Sequence, residues 1–174
     1  SRVIMPHFHI PLQSGSDEVL RLMHRKYDAS LFASRVSEIR KAMPLAFIGV
    51  DVIAGTNGES ERRFRESYNF LNGLDISQLH AFPYSERSGT RALQIPGRVP
   101  PAERKLRTRQ YINLSEKKLH AFYEKNKGLK ATVLFEEGSS STGLSGFTEN
   151  YIRTLLPFRP DSVNQTAEVR LTEI

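Results

Sequence analysis

At 174 residues and 39% hydrophobic, the chain can bury a sizeable core, and it holds no apolar run of bilayer length. It has no cysteine, so it cannot by itself build a disulfide, a thiolate zinc site or an iron–sulfur site, a composition compatible with a cytosolic setting. The net charge of +6 suits an anionic partner such as RNA, and it equally suits an ordinary charged surface. The opening "SRVIMPHFHI" lacks the order of a secretory signal and enters a strand-like run at once, so a missing start is expected, with Ser1 a cloning remnant.

Phe8 to Leu12 reads as a short strand, and Ser14-Gly15-Ser16 as a turn. Asp17 and Glu18 suit the positive end of a helix whose Val19, Leu20 and Met23 share a face. Ser30 can cap a second helix, with Phe32, Val36, Ile39 and Met43 at helical spacing and Pro44 near its end. "LAFIGVDVIAG" is a nearly continuous apolar run broken by Asp51, the pattern of a strand in a parallel sheet. Ser60 can cap a third helix carrying Phe64, Tyr68 and Leu71, stopped by Gly73. "ISQLHAFPYS" reads as the next strand. The alternation of strands and helices predicts an α/β class with a parallel arrangement.

Pro100 to about Lys127 is a basic helical stretch holding Arg104, Lys105, Arg107, Arg109, Lys117, Lys118, Lys125 and Lys127. Leu106, Ile112, Leu119, Phe122 and Tyr123 could form its apolar side, at an imperfect period. Such a stretch is either a solvated face or a field for an anionic partner. After Gly128 the pattern is all-β. "LKATVLFEE" alternates, "GSSSTGLSG" reads as a flexible loop, and "NYIRTLLPF" and "TAEVRLTEI" read as strands. The predicted domains are therefore 1–128 and a small β-barrel or open module over 129–174.

Ligands of parallel α/β sheets bind beyond the carboxyl ends of the strands. "PLQSGSD", "AGTNGE" and "FPYSERSGT" lie at such ends, and their Gly, Ser, Asn and Gln let a ligand approach closely. These residue types also make ordinary turns, so the residues alone leave both readings open. His7 and His9 are two apart on a strand and share a face. A pair of imidazoles begins a metal site, but no neighbour in sequence completes it, and strand packing is the preferred reading, also for His80. Asp51, inside an apolar strand, needs a partner or a polar interior. "TNGES" lacks the lysine of a P-loop, and no nucleophile elbow surrounds Ser14.

Taken together, "HIPLQSGSDEVLRLMHRKY", "DVIAGTNGES" and "LHAFPYSERSGTRA" resemble, in that order, the later half of the radical S-adenosylmethionine methylthiotransferases. "GFTENYIR" and "AEVRL" are similar to the TRAM module that closes those proteins, so the resemblance covers essentially the whole chain. Within the family, "QLHAFPYSERSGT" and "SGFTENYIR" look most like the enzyme acting on N6-threonylcarbamoyladenosine at position 37 of tRNA. Its relatives act on isopentenyladenosine in tRNA or on an aspartate of a ribosomal protein. Where the family usually carries Phe-Pro, this chain has Thr56-Asn57.

The resemblance implies the C-terminal part of a partial TIM-type barrel, followed by a small all-β TRAM-like (OB-like) barrel. It implies S-adenosylmethionine and 4Fe-4S clusters as cofactors, with the cluster cysteines outside this chain, and hence no activity for the chain alone. The partners implied are tRNA and S-adenosylmethionine, in the cytoplasm and without a membrane. Gln13 and Ser14 would approach the ribose or amino-acid part of S-adenosylmethionine, Gly55 its adenosyl portion, and Phe82 and Tyr84 the adenine, with Asp51 a polar contact nearby.

The module over 129–174 carries Lys130, Arg153, Arg159 and Arg170 against Glu136, Glu137, Glu149, Asp161, Glu168 and Glu173, a balance poor for phosphate attraction. The expected RNA surface is therefore shared, with Arg104, Lys105 and Arg107 on the helix and Phe147, Tyr151 and Arg153 on the module. A non-catalytic RNA-binding protein is the rival of another class. A complete α/β enzyme using another cofactor is disfavoured, because no nucleophile or metal constellation is legible.

Overall fold

The short apolar runs and the helical periods read above become, in chain order, strand β1 (His7–Gln13), helices α1 (Asp17–Leu22) and α2 (Ala29–Ala42), β2 (Phe47–Ala54), α3 (Glu61–Gly73), β3 (Gln78–Pro83) and the long α4 (Pro101–Asn126). Strands β4 (Lys130–Ser139), β5 (Gly143–Thr148), β6 (Arg153–Leu156) and β7 (Thr166–Arg170) follow. The structure, a computed structural model, describes residues 4–172.

The class is α/β, with two sheets. One is three-stranded in the order β1-β2-β3, with β2 and β3 parallel and Asp51 level with His80. The other is antiparallel, in the order β6-β5-β4-β7. The chain falls into two compact units. Among the described residues the first comprises 9–44 and 48–119, and the second 4–8, 45–47 and 120–172.

In the first unit Leu12, Ile48, Val50, Val52, Ala54 and Leu79 of the strands pack with Phe32, Val36, Phe64, Leu71, Tyr111 and Leu114 of the helices. The near-continuous burial of β2 is what a strand covered on both faces shows. Ser60 caps α3 as its sequence suggests, its hydroxyl accepting from the Arg63 N–H. The cap of α2 is Asp28, not Ser30. The Asp28 carboxylate accepts from the Leu31 N–H at 2.7 Å, while Ser30 lies inside the helix.

Helix α4 corrects the expected apolar side in part, since Phe122 is buried as expected. Leu106 and Ile112 are exposed, and the buried stripe in the first unit is Arg104, Arg107, Thr108, Tyr111, Leu114 and Ser115. Those positions recur at three and four residues, so the helical period is complete once polar residues are admitted to the interior.

In the second unit Val133, Phe135 and Leu144 form a small core with Phe158, Val163 and Val169. The expected flexible loop "GSSSTGLSG" is a hairpin instead. Ser139 pairs with Gly143, and β5 buries Leu144, Gly146 and Thr148 alternately. Small residues hid that alternation. Gly146 is needed there, because a Cβ would strike the Leu134 carbonyl of the neighbouring strand.

Candidate functional site

The three glycine- and serine-rich turns follow β1, β2 and β3, and the second and third are joined where the Tyr84 N–H donates to the Ala54 carbonyl at 2.8 Å. Gln13 takes a positive φ of 74° at the end of β1, a conformation uncommon for a side chain larger than glycine. Ser14 is buried, and its hydroxyl accepts from the Ser16 N–H. The Gly15 N–H donates to Ser67 Oγ, which also accepts from the buried Tyr111 hydroxyl. Burial pushes the Tyr111 phenol well up, so it remains a donor.

The second turn is held from within. The Gly55 N–H donates to Glu59 Oε1 at 2.8 Å, and Arg107 Nη1 donates to the same oxygen at 2.9 Å and to the Glu59 carbonyl at 2.8 Å. Burial raises the Glu59 carboxyl against the pull of Arg107 and the Gly55 N–H. Burial also works against the Arg107 charge, but the hydrogen bonds it donates to Glu59 and Glu103 outweigh it and keep the guanidinium ionised. Gly55 has a φ of 77°, and a Cβ there would run into the Arg104 side chain. The close approach at this glycine is therefore to α4 of its own unit.

The third turn is held by Arg104. Its guanidinium donates to the carbonyls of Val99 and Tyr84 and to Glu86 Oε1 at 2.5 Å, and lies 5.2 Å from the centre of the Tyr84 ring. Hydrogen bonds from Arg104 and Arg98 hold the Glu86 carboxyl below its ordinary value.

Cavities open beside these turns. One, of about 460 Å³, is lined by Ile53, Phe82, Pro83, Tyr84, Ser85 and Thr90 among others. Another, of about 280 Å³, is lined by Leu22, Met23, Thr56, Asn57, Tyr84 and Ile95 among others. Thr56 Oγ1 and Asn57 Oδ1, in the dipeptide that departs from the resembled pattern, are buried without a hydrogen-bond partner.

Asp51 finds the partner its burial demands. His9 Nε2 and Asp51 Oδ1 are 2.6 Å apart, and His80 Nδ1 lies 4.0 Å from the same oxygen. The His9 and His80 rings meet edge to face at 4.4 Å. Burial, then the neighbouring His9, lowers the His80 imidazole against the pull of Asp51. His7, expected to share a face with His9, takes a different environment. It stacks on Tyr151 at 4.3 Å and 20° and tilts against Phe47. The signal for the His9–Asp51–His80 group was in the sequence: each stands four residues before Gln13, Gly55 and Tyr84, which mark the ends of adjacent strands. Glu59, the centre of the second turn, was also missed. It stands four residues after Gly55, within reach of the turn it closes.

The expected RNA residues separate. Lys105 is exposed, but Arg104 and Arg107, i and i+3 on α4, point into the first unit and are committed to carboxylates and carbonyls. The expected basic surface on this helix is thus smaller than its sequence suggests. On the second unit Phe147 pairs in register with the exposed Arg153. Tyr151 stacks with both His7 and Phe147, the latter at 4.7 Å and 16°, and stays exposed at its remaining surface. Arg153, Lys127, Arg170 and Leu155 line a groove of about 430 Å³.

The chain is 36% identical over 172 residues, 97% of its own length, to the threonylcarbamoyladenosine tRNA methylthiotransferase MtaB of Bacillus subtilis (strain 168). It is 42% identical over 149 residues, 86% of its length, to the MtaB of Aquifex aeolicus (strain VF5). It is 31% identical over 169 residues, 96% of its length, to the tRNA-2-methylthio-N(6)-dimethylallyladenosine synthase of Desulfitobacterium hafniense (strain Y51). The chain belongs to the radical S-adenosylmethionine methylthiotransferase family. It spans 38%, 35% and 38% of the length of these three methylthiotransferases. No protein-family model matches the chain. Among the described residues, no helix is long and apolar enough to cross a membrane.

Proposed function

We propose that this chain is the cofactor-facing and RNA-facing part of a cytoplasmic tRNA methylthiotransferase that modifies N6-threonylcarbamoyladenosine at position 37. In this reading residues 1–128 contribute the later units of a partial TIM-type barrel, and residues 129–174 a TRAM-like barrel. The observation that carries it is the similarity to two MtaB proteins, over 97% of the chain for one and 86% for the other.

The residues fit S-adenosylmethionine. The cavity beside β2 and β3 joins Ile53, Phe82 and Tyr84 to the hydroxyls of Ser85 and Thr90, the mixture of flat apolar walls and a few polar groups that an adenosyl group takes. Gln13 and Ser14 lie at the neighbouring strand end, and Gly55 lets the second turn lie close against α4. When bound, this cofactor supplies the radical and methyl chemistry. The residues do not fit iron–sulfur clusters, because the chain has no cysteine, and we therefore expect it to be inactive alone. For RNA, Lys105 and Arg153 supply exposed charge, Phe147 a flat apolar surface, and Tyr151 the support behind it. Arg104 and Arg107 shape the cofactor side instead.

The test is nucleoside mass spectrometry of tRNA from cells lacking the gene that encodes this chain. Selective loss of the methylthiolated threonylcarbamoyladenosine is expected. Loss of methylthiolated isopentenyladenosine instead would overturn the substrate, and an unchanged profile would overturn the activity. Anaerobic iron–sulfur reconstitution of the chain tests its inactivity, and a stoichiometric cluster would refute it.

A further inference from the structure

We propose that His9, Asp51 and His80 form a binding site for one divalent transition-metal ion. Their donor atoms, two imidazole nitrogens and a carboxylate oxygen, all lie within 4.8 Å of one another. They project from three adjacent strands, and Asp51 and His80 are direct partners in the β2–β3 register, so the backbone fixes the site's width. An ion with bonds of about 2.0–2.2 Å needs such donors on one side of it. The His9–Asp51 distance of 2.6 Å is shorter than donors sharing an ion require, and the His80–Asp51 distance of 4.0 Å is longer. Small opposite rotations of the His9 and His80 side chains would equalise the two, with the hydrogen bond giving way to metal bonds.

Charge argues the same way. Among the described residues no lysine or arginine pairs with Asp51, and its carboxylate meets only the two imidazoles. The donor set decides the ion class. Two nitrogens and one oxygen, without sulfur, favour zinc, cobalt, nickel or ferrous iron over magnesium or calcium. The three groups remain partly exposed, with side-chain accessibilities of 43%, 27% and 37%, so coordination positions stay open for water or a ligand. The inference does not depend on the methylthiotransferase reading, since it rests on the ligand geometry alone.

The test is titration of the chain with cobalt, read by its ligand-field absorption, and with zinc, read by calorimetry. The absence of cysteine leaves no thiolate to compete. One equivalent is expected to bind, with a chelator-reversible rise in Tm. Affinity should fall at least about tenfold in His80→Gln and Asp51→Asn, as it does even when a ligand's outer-shell partner is lost. His24→Ala and His120→Ala, exposed histidines outside the group, should leave it unchanged. Circular dichroism establishes that each variant is folded, and the wild-type Tm shift reads the site without any variant. Absence of saturable binding and of the Tm shift, or binding that survives His80→Gln and Asp51→Asn in folded protein, would overturn the proposal.

Discussion

In the first unit the side chains of Arg104 and Arg107 are 8% and 5% exposed, and each closes on the carbonyls and carboxylates of a strand-end turn. In the second unit Lys130, Arg153 and Arg170 stand exposed, with Lys130 on Glu168 at 2.6 Å and Arg170 on the Gly128 carbonyl at 2.8 Å. The same residue chemistry therefore does two jobs. A buried guanidinium is part of the frame, because removing it strands the charge it faced. An exposed cation contributes to the field around the molecule and little to stability.

The largest expected break of this contrast is Arg107→Ala. It would leave the fully buried Glu59 carboxylate without its counter-charge, and truncating one member of a buried pair costs about 3–5 kcal/mol. Arg153→Ala should stay within about 0.5 kcal/mol. Urea denaturation of both variants measures the difference. A loss below about 1 kcal/mol for Arg107→Ala would erase the distinction between the units.

A glycine in each unit sharpens the comparison at the backbone. Gly55 and Gly128 both have positive φ, 77° and 83°. A Cβ at Gly55 would overlap Arg104, whereas one at Gly128 would meet, among the described residues beyond its chain neighbours, no heavy atom within 4 Å. Gly128→Ala should therefore cost only backbone strain, about 1 kcal/mol. Gly55→Ala should cost more, about 2–3 kcal/mol, since strain and overlap act together. Equal denaturation midpoints for the two variants would show that Arg104 moves aside freely.

The pH response separates the units more gently. Arg104 and Arg98 hold Glu86 below its ordinary value of 4.5. A carboxyl lowered in the folded state contributes stability that is fully present above 4.5 and is lost as pH falls through the lowered value. Glu86→Gln should therefore lower Tm at pH 7, with the gap to wild type closing as the pH drops below 4.5. A gap of constant size from pH 7 to pH 3 would mean that the Glu86 charge is not what Arg104 uses.

Most of the first unit was legible because its signals are local. The apolar run at 45–55, the Ser60 cap and the periods of α2 and α3 depend on few distant contacts. Helix α4 was misjudged because two arginines occupy interior positions, which partners distant in sequence, Glu59 and Glu86 among them, make tolerable. Strand β5 was missed because Gly143 and Gly146 serve a close approach of neighbouring strands, which reads in sequence as flexibility. The strand-end turns were found from composition, but which side chain holds them was not. Glu59 and the His9–Asp51–His80 group join strands or helices far apart in the chain, and a single sequence shows their spacing without their meeting.

The smallest change in stability should accompany the clearest change in binding. Lys105 is exposed on α4 beside the buried Arg104, so Lys105→Ala should leave the denaturation midpoint within about 0.5 kcal/mol of wild type. If Lys105 contacts a phosphate, the same variant should weaken tRNA binding across sequences and reduce the slope of log K against log salt by about 1. Arg153→Ala should do the same from the second unit. Arg104→Ala and Arg107→Ala should instead lower stability, with any change in binding tracking the loss of fold. Filter binding at several salt concentrations, with denaturation of the same preparations, places each cation in one class or the other. A Lys105 variant with an unchanged salt slope would remove Lys105 from the RNA surface and shift attention to Arg153, Lys127 and Arg170 around the second unit's groove.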